Sequence, residues 1–235
     1  MGETAVLHES AAYGRQPSCD TGAMPLASVA DLREHYRPPG TNPIKKVIHR
    51  LDAHCADFIA KSPFFVLSTA DADGVCDGSP KGGPPGFVQV LDERGLAWAD
   101  LSGNNRLDSF QNLVTNDHVA LLFLIPGLDE TLRVNGAAEL VTDPELGRRV
   151  AVDGKPAQVT VVVTVAEAYV HCAKALRRAE LWSSDQWLSA EELPSAACMI
   201  KDHVGLDVDV EVIAAARERD VQENLWRPGG AAGEL

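Results

Sequence analysis

The sequence predicts a mainly β fold, an antiparallel barrel with flanking helices. Three observations carry this expectation. At least six short runs between residues 64 and 165 are rich in strand-forming residues. Asp, Gly and Pro mark short turns between most of them. The marks of a parallel doubly wound sheet are missing, since no GxGxxG follows a strand-like run and few strands are separated by a long helical stretch.

Taken in order, residues 1–30 lack sustained periodicity and contain Gly14, Pro17, Gly22 and Pro25, which reads as a loosely ordered or wrapping arm. A short helix is expected over 29–36, stopped by Pro38, Pro39 and Gly40. Asn42-Pro43 then reads as an N-cap with proline at the first helical position. Ile44, Val47, Ile48, Leu51, Cys55, Phe58 and Ile59 follow at helical spacing, predicting one helix that ends near Lys61. Strands are expected over 64–69, 87–91 and 96–99, with turns at 71–74 and 92–95 and a loop over 78–86. Residues 106–115 have helical spacing. The apolar run 118–125 reads as a strand buried on both faces, hairpinned to 131–141. A short helix over 144–150, a Val/Thr-rich strand over 158–165, and helices over 169–182 and 210–225 complete the chain.

Composition narrows the function classes. The 235 residues are 45% hydrophobic and 23% charged, enough for a substantial core. No run approaches the ~20 apolar residues of a membrane span, and the first residues lack a basic-then-apolar leader pattern. A net charge of -13 argues against a nucleic-acid or anionic-membrane surface. The five cysteines are widely spaced with no CxxC pair, so a disulfide framework or zinc site is not expected and the cytoplasm is the simplest compartment. The seven histidines show no ligand spacing, so no metal is expected.

Three segments could carry chemistry. Residues 77–86, DGSPKGGPPG, combine glycines that admit close backbone approach with a cation, Lys81, suited to phosphate; a plain surface loop is the competing reading. Residues 100–109, DLSGNNRLDS, join a strand to a helix start. Amides there favour an anion, Arg106 could clamp it, and Ser109 lies a turn further on. The competing reading is a helix start capped by Asn104 or Asn105. Residues 169–182, YVHCAKALRRAELW, concentrate Lys174, Arg177 and Arg178, with Trp182 able to pack on an aromatic ligand. A solvated basic face with a packed Trp would look the same. His171 and Cys172 are adjacent, which excludes a Cys–His nucleophile on a helix.

In their order along the chain, the SPKGG loop, the DERG turn, GNNRLDSFQNL and HCAKALRRAELW resemble the pyridoxamine 5'-phosphate oxidase-related flavoproteins, in the branch of FMN-dependent enzymes, over about residues 40–185. The resemblance implies a split β-barrel homodimer with FMN at the subunit interface. It places Ser79, Lys81, Asn105, Arg106 and Ser109 at the cofactor phosphate, Gly82 among the cofactor-binding residues, and Lys174, Arg177 and Trp182 toward the flavin from the late segment, with His171 as the candidate proton source. It implies a division into an extension (1–40), a barrel (41–185) and a helical extension (186–235) that packs on the barrel or a partner subunit. The sequence departs from the vitamin B6 oxidases near its end, where residues 221–230 carry no matching basic pair, so oxidation of pyridoxamine 5'-phosphate itself is not expected. An FMN-dependent oxidoreductase acting on a small molecule is the expected function; a non-catalytic binder of flavin, haem or a deazaflavin on the same fold is the alternative.

Overall fold

A computed structural model describes residues 24–230. Seven strands form one antiparallel sheet: β1 (Phe64–Ala70), β2 (Cys76–Gly82), β3 (Val88–Val90), β4 (Gly95–Ala99), β5 (His118–Leu124), β6 (Thr131–Val141) and β7 (Thr160–His171). Their hydrogen-bonded order is β2-β1-β5-β6-β7-β4-β3. Five helices lie around or between the strands: α1 (Val29–His35), α2 (Thr41–Lys45), α3 (Ala53–Lys61), α4 (Asp108–Thr115) and α5 (Pro144–Arg149). Three more follow them: α6 (Lys174–Arg178), α7 (Ala196–Val204) and α8 (Val210–Asn224).

Aromatic packing shows how the sheet is rolled. Three strands separate β1 from β4 in the hydrogen-bonded order. Yet the Phe65 ring of β1 meets Trp98 of β4 edge-on at 5.0 Å, Phe123 of β5 at 5.0 Å and Phe87 at 5.8 Å. A flat sheet could not bring β1 and β4 together, so the sheet curls around these rings into a barrel. The two edge strands, β2 and β3, do not pair, which leaves it split. Leu67, Leu96, Leu121, Val134, Val161 and Val163 complete the fully buried interior.

One irregularity matters for the outer face. Between Asn135 and Gly136 the β6·β7 register shifts, and Ala166 of β7 has no partner on β6. The inward residues accordingly change phase, from Val161, Val163 and Val165 to Ala168. His49 Nδ1 meets the freed Ala166 carbonyl at 3.0 Å. Gly136 lies against the Thr164 carbonyl, where a Cβ would collide.

Several expectations are corrected. The single helix from 43 to 61 is two. The chain leaves α2 at Lys46 so that the Ile48 backbone can exchange two hydrogen bonds with Ala168, and Asp52 starts α3 afresh by accepting from the Cys55 amide. The cap of α2 is Gly40, not Asn42. The loop over 78–86 is largely strand β2, paired residue for residue with β1. Strand β5 buries Val119, Leu121 and Phe123 on one face only. Strand β7 runs on to His171, so only Lys174–Arg178 of the late segment is helical. Helix α7 was not foreseen. It packs against α8, burying Ala197 and Ile213 apart from the barrel core. The expectation of an arm over 1–30 falls mostly outside the described residues.

Candidate functional site

A cavity of about 280 Å³ opens between β2, the 100–107 loop and the first turn of α4, with Gly229 in its wall. It gathers Ser79, Lys81, Asn105 and Ser109 of the predicted set. The edge strand β2, the 100–107 loop and a helix start converge here because Asp77 pairs opposite Thr69 on β1, while α4 packs on β1 and β2. Asn112 fixes that helix by donating to Thr69 Oγ1 at 3.0 Å, and buried Ser109 donates to Asp77 Oδ2 at 2.5 Å.

The loop backbone is strained in one place. Asn105 (φ 56°) and Leu107 (φ 59°) both adopt the left-handed conformation, flanking Arg106. Such non-glycine residues cost on the order of 1–3 kcal/mol each and gather at ligand clamps. Successive turns of this kind form concavities lined by amides, which receive anions. Leu107 is also the N-cap of α4, so the helix dipole points into the same region.

Charge is distributed unevenly in the cavity. Lys81 Nζ lies 5.9 Å from the Phe110 ring centroid, and among the described residues no carboxylate oxygen comes within ion-pair distance of it. Burial holds its ammonium below the ordinary lysine range, with Asp100 and Asp77 pulling the other way. The Asp100 carboxyl is raised by burial and partly restored by Lys81. Asp77 is engaged by Ser109. A half-buried cation without a close ion-pair partner, beside the loop amides and a helix start, fits the phosphate of a mononucleotide.

Arg106 departs from expectation. Helix α4 begins at Asp108, so Arg106 precedes the first turn instead of occupying it. Its guanidinium turns onto Asp108, with Nε 2.8 Å from Oδ2, and it is absent from the cavity wall. Neither Asn104 nor Asn105 caps the helix; Asn104 accepts from the Arg106 amide instead. Gly82 ends β2 just outside the lining.

The second group lies elsewhere. Asp100 hydrogen-bonds to Val159 at the start of β7, whereas His171 ends it. A 12-residue strand spans roughly 35 Å, so the two groups are far apart within one chain. Arg177 is tied to Asp129 at 2.8 Å, and Trp182 Nε1 donates to the Leu128 carbonyl at 2.9 Å. Both line a small cleft of about 250 Å³, while Lys174 is exposed and outside it. His171 is on a strand, beside Arg133 and Lys46. Burial, with those two cations, pushes its imidazole below the ordinary histidine range. Arg133 donates to the Tyr169 hydroxyl at 2.9 Å, and Lys46 to the Val170 carbonyl at 2.8 Å. A broader concavity lies at the β6 bulge, lined in part by His49, His118, Asn135 and Glu167.

Sequence reasoning missed Asp77, Asp100, Phe110 and Gly229. Asp77, Asp100 and Phe110 lie in the quoted segments but were given no role, and nothing local marks Gly229.

The family model for pyridoxamine 5'-phosphate oxidase matches residues 51–172, more than half of the chain. The chain belongs to the pyridoxamine 5'-phosphate oxidase family. The match runs from the start of α3 through β7, so the cavity at Lys81 lies within the family region and Gly229 outside it. Pyridoxine/pyridoxamine 5'-phosphate oxidase 1 of Ralstonia nicotianae is 25% identical over 184 residues, 74% of this chain and 71% of the relative. Among solved structures, HupZ of Group A Streptococcus is 17% identical, with TM-score 0.39 over 51% of this chain and 92% of its own. An FMN-binding protein from Syntrophomonas wolfei is 13% identical, with TM-score 0.39 over 49% of this chain and 81% of its own. No helix among the described residues is long and apolar enough to cross a membrane.

Proposed function

We propose that the chain binds FMN as a homodimer and acts as an oxidoreductase on a small molecule. The observation that carries this reading is Lys81, a half-buried cation without a close ion-pair partner beside a left-handed amide loop and a helix start, in a chain of the pyridoxamine 5'-phosphate oxidase family. FMN supplies hydride or electron transfer when bound. Lys81, Ser79 and the loop amides hold its phosphate, and Phe110 keeps water from one side of the ammonium.

The dimer brings the second group into use. Arg177, Lys174 and Trp182 reach a flavin only from another protomer, given the length of β7. Two polar atoms on β6 and β7, Asn135 Oδ1 and His171 Nδ1, are buried within the chain and lack hydrogen-bond partners among the described residues. Burial and the nearby Arg133 and Lys46 lower the His171 imidazole below its ordinary range, so it takes up a proton less readily and serves as a hydrogen-bonding group. Arg227 is the only cation in residues 221–230, so a substrate other than pyridoxamine 5'-phosphate is favoured.

The test is the visible spectrum of the purified chain with added FMN. Flavin absorption that survives desalting is expected. A colourless chain that retains no FMN would overturn the reading, and a Soret band would indicate haem. Lys81→Ala is expected to weaken FMN binding about tenfold to a hundredfold, the worth of one or two charge-assisted hydrogen bonds. Unchanged affinity would place the phosphate elsewhere.

A further inference from the structure

Residues 226–230 return to the barrel after α8 and lie along the 100–102 stretch. The Ser102 amide donates to the Arg227 carbonyl at 2.7 Å, and the Gly229 amide to the Asp100 carbonyl at 3.0 Å. Leu101 and Pro228 form the bridge between these bonds, and Trp226 packs against the barrel core. The result is a short added strand on the segment that leads directly into the strained 103–107 loop. Gly229 is buried, lines the cavity, and leaves no room for a side chain: a Cβ there would overlap the Asp100 carboxylate.

We propose that residues 226–230 are a strap that holds the phosphate cradle in its anion-receptive shape, with Gly229 as the positioning residue. The inference rests on the FMN reading above. Left-handed Asn105 and Leu107 are unfavourable conformations and persist only where their surroundings over-determine them. Helix α4 fixes one end of the loop through the Asn112–Thr69 and Ser109–Asp77 bonds. The strap fixes the other end through the backbone of Asp100 and Ser102. It also sets where the Asp100 carboxylate stands, because the missing side chain of Gly229 leaves the space that this group fills. With the carboxylate kept out of ion-pair reach of Lys81, the ammonium stays available to an incoming phosphate.

Phosphate-dependent affinity tests this directly. Dissociation constants for FMN and for riboflavin, which lacks the phosphate, are measured on the full chain and on Gly229→Ala. The substitution is expected to weaken FMN about tenfold or more, on the scale of one charge-assisted contact, while riboflavin affinity stays within about twofold. The same comparison in an Asp100→Ser background is expected to show little further loss, since the group with which the new methyl collides is gone. A chain ending at Trp226 serves if Gly229→Ala does not fold, and the same selective loss is expected. Equal weakening of FMN and riboflavin would overturn the strap, as would no loss of FMN affinity or an undiminished loss in the Asp100→Ser background. If the unaltered chain binds FMN and these results fail, the strap alone falls. If it binds neither ligand, the FMN reading falls and takes the strap with it.

Discussion

His171 lies against Arg133 and Lys46, and its neutral imidazole follows from burial beside two cations. Removing one of them should release the shift: Arg133→Gln is expected to raise the His171 pKa toward the ordinary value, read by NMR titration of the ring protons. An unmoved pKa would mean that Arg133 contributes nothing to the shift. The sign has a consequence for stability. The folded pKa is below the unfolded one, so the unfolded chain takes up the proton first and stability falls as pH drops through that interval. At this scale the sequence was readable where a residue's neighbours are local. Lys81, Ser79 and Ser109 reach one cavity because strand alternation and a helix start project them there. Arg106 was misread because Asp108, two residues on, captures its guanidinium. Asp77 and Asp100 owe their roles to partners 32 and 129 positions away, Ser109 and Gly229, which spacing cannot reveal.

Secondary structure was legible wherever periodicity acted alone and failed where tertiary pairing overrode it. The apolar stripe from Ile44 to Ile59 is real, but it is divided between two helices because the Ile48 backbone pairs with Ala168 and Asp52 caps a new start. Strand β2 was hidden by its glycines and proline, which are poor strand formers; pairing to β1 and an edge position accommodate them. Strand β7 was cut short because the Ala166 bulge shifts its burial phase and breaks the alternation. That bulge depends on Gly136. Gly136→Ala would drive a methyl into the Thr164 carbonyl and is expected to cost about 2–3 kcal/mol in urea denaturation. A loss under about 0.5 kcal/mol, the scale of a neutral surface change, would show that the bulge relaxes easily.

For the molecule as a whole, the barrel was predictable because six of its strands carry clear signals and short turns. The particular contact that closes it was not, since Phe65 and Trp98 lie on strands that never pair. The assembly makes its own prediction. If each flavin draws Lys81 from one protomer and Arg177 from the other, chains carrying Lys81→Ala and chains carrying Arg177→Ala each bind FMN poorly. Hybrid dimers formed by mixing them hold one intact site and are expected to recover part of the binding. No recovery, in hybrids verified by sedimentation, would place both residues in the same protomer's site or one of them outside it.

Gly229 also fixes when the cradle can exist. The barrel's last strand ends at His171, so every paired strand has been synthesised nearly sixty residues before the cavity's final wall leaves the ribosome. A growing chain can therefore close its barrel around Phe65 while the cradle is still incomplete. If the cradle receives a phosphorylated ligand as proposed, capture waits until residues 226–230 have emerged and can reach Asp100.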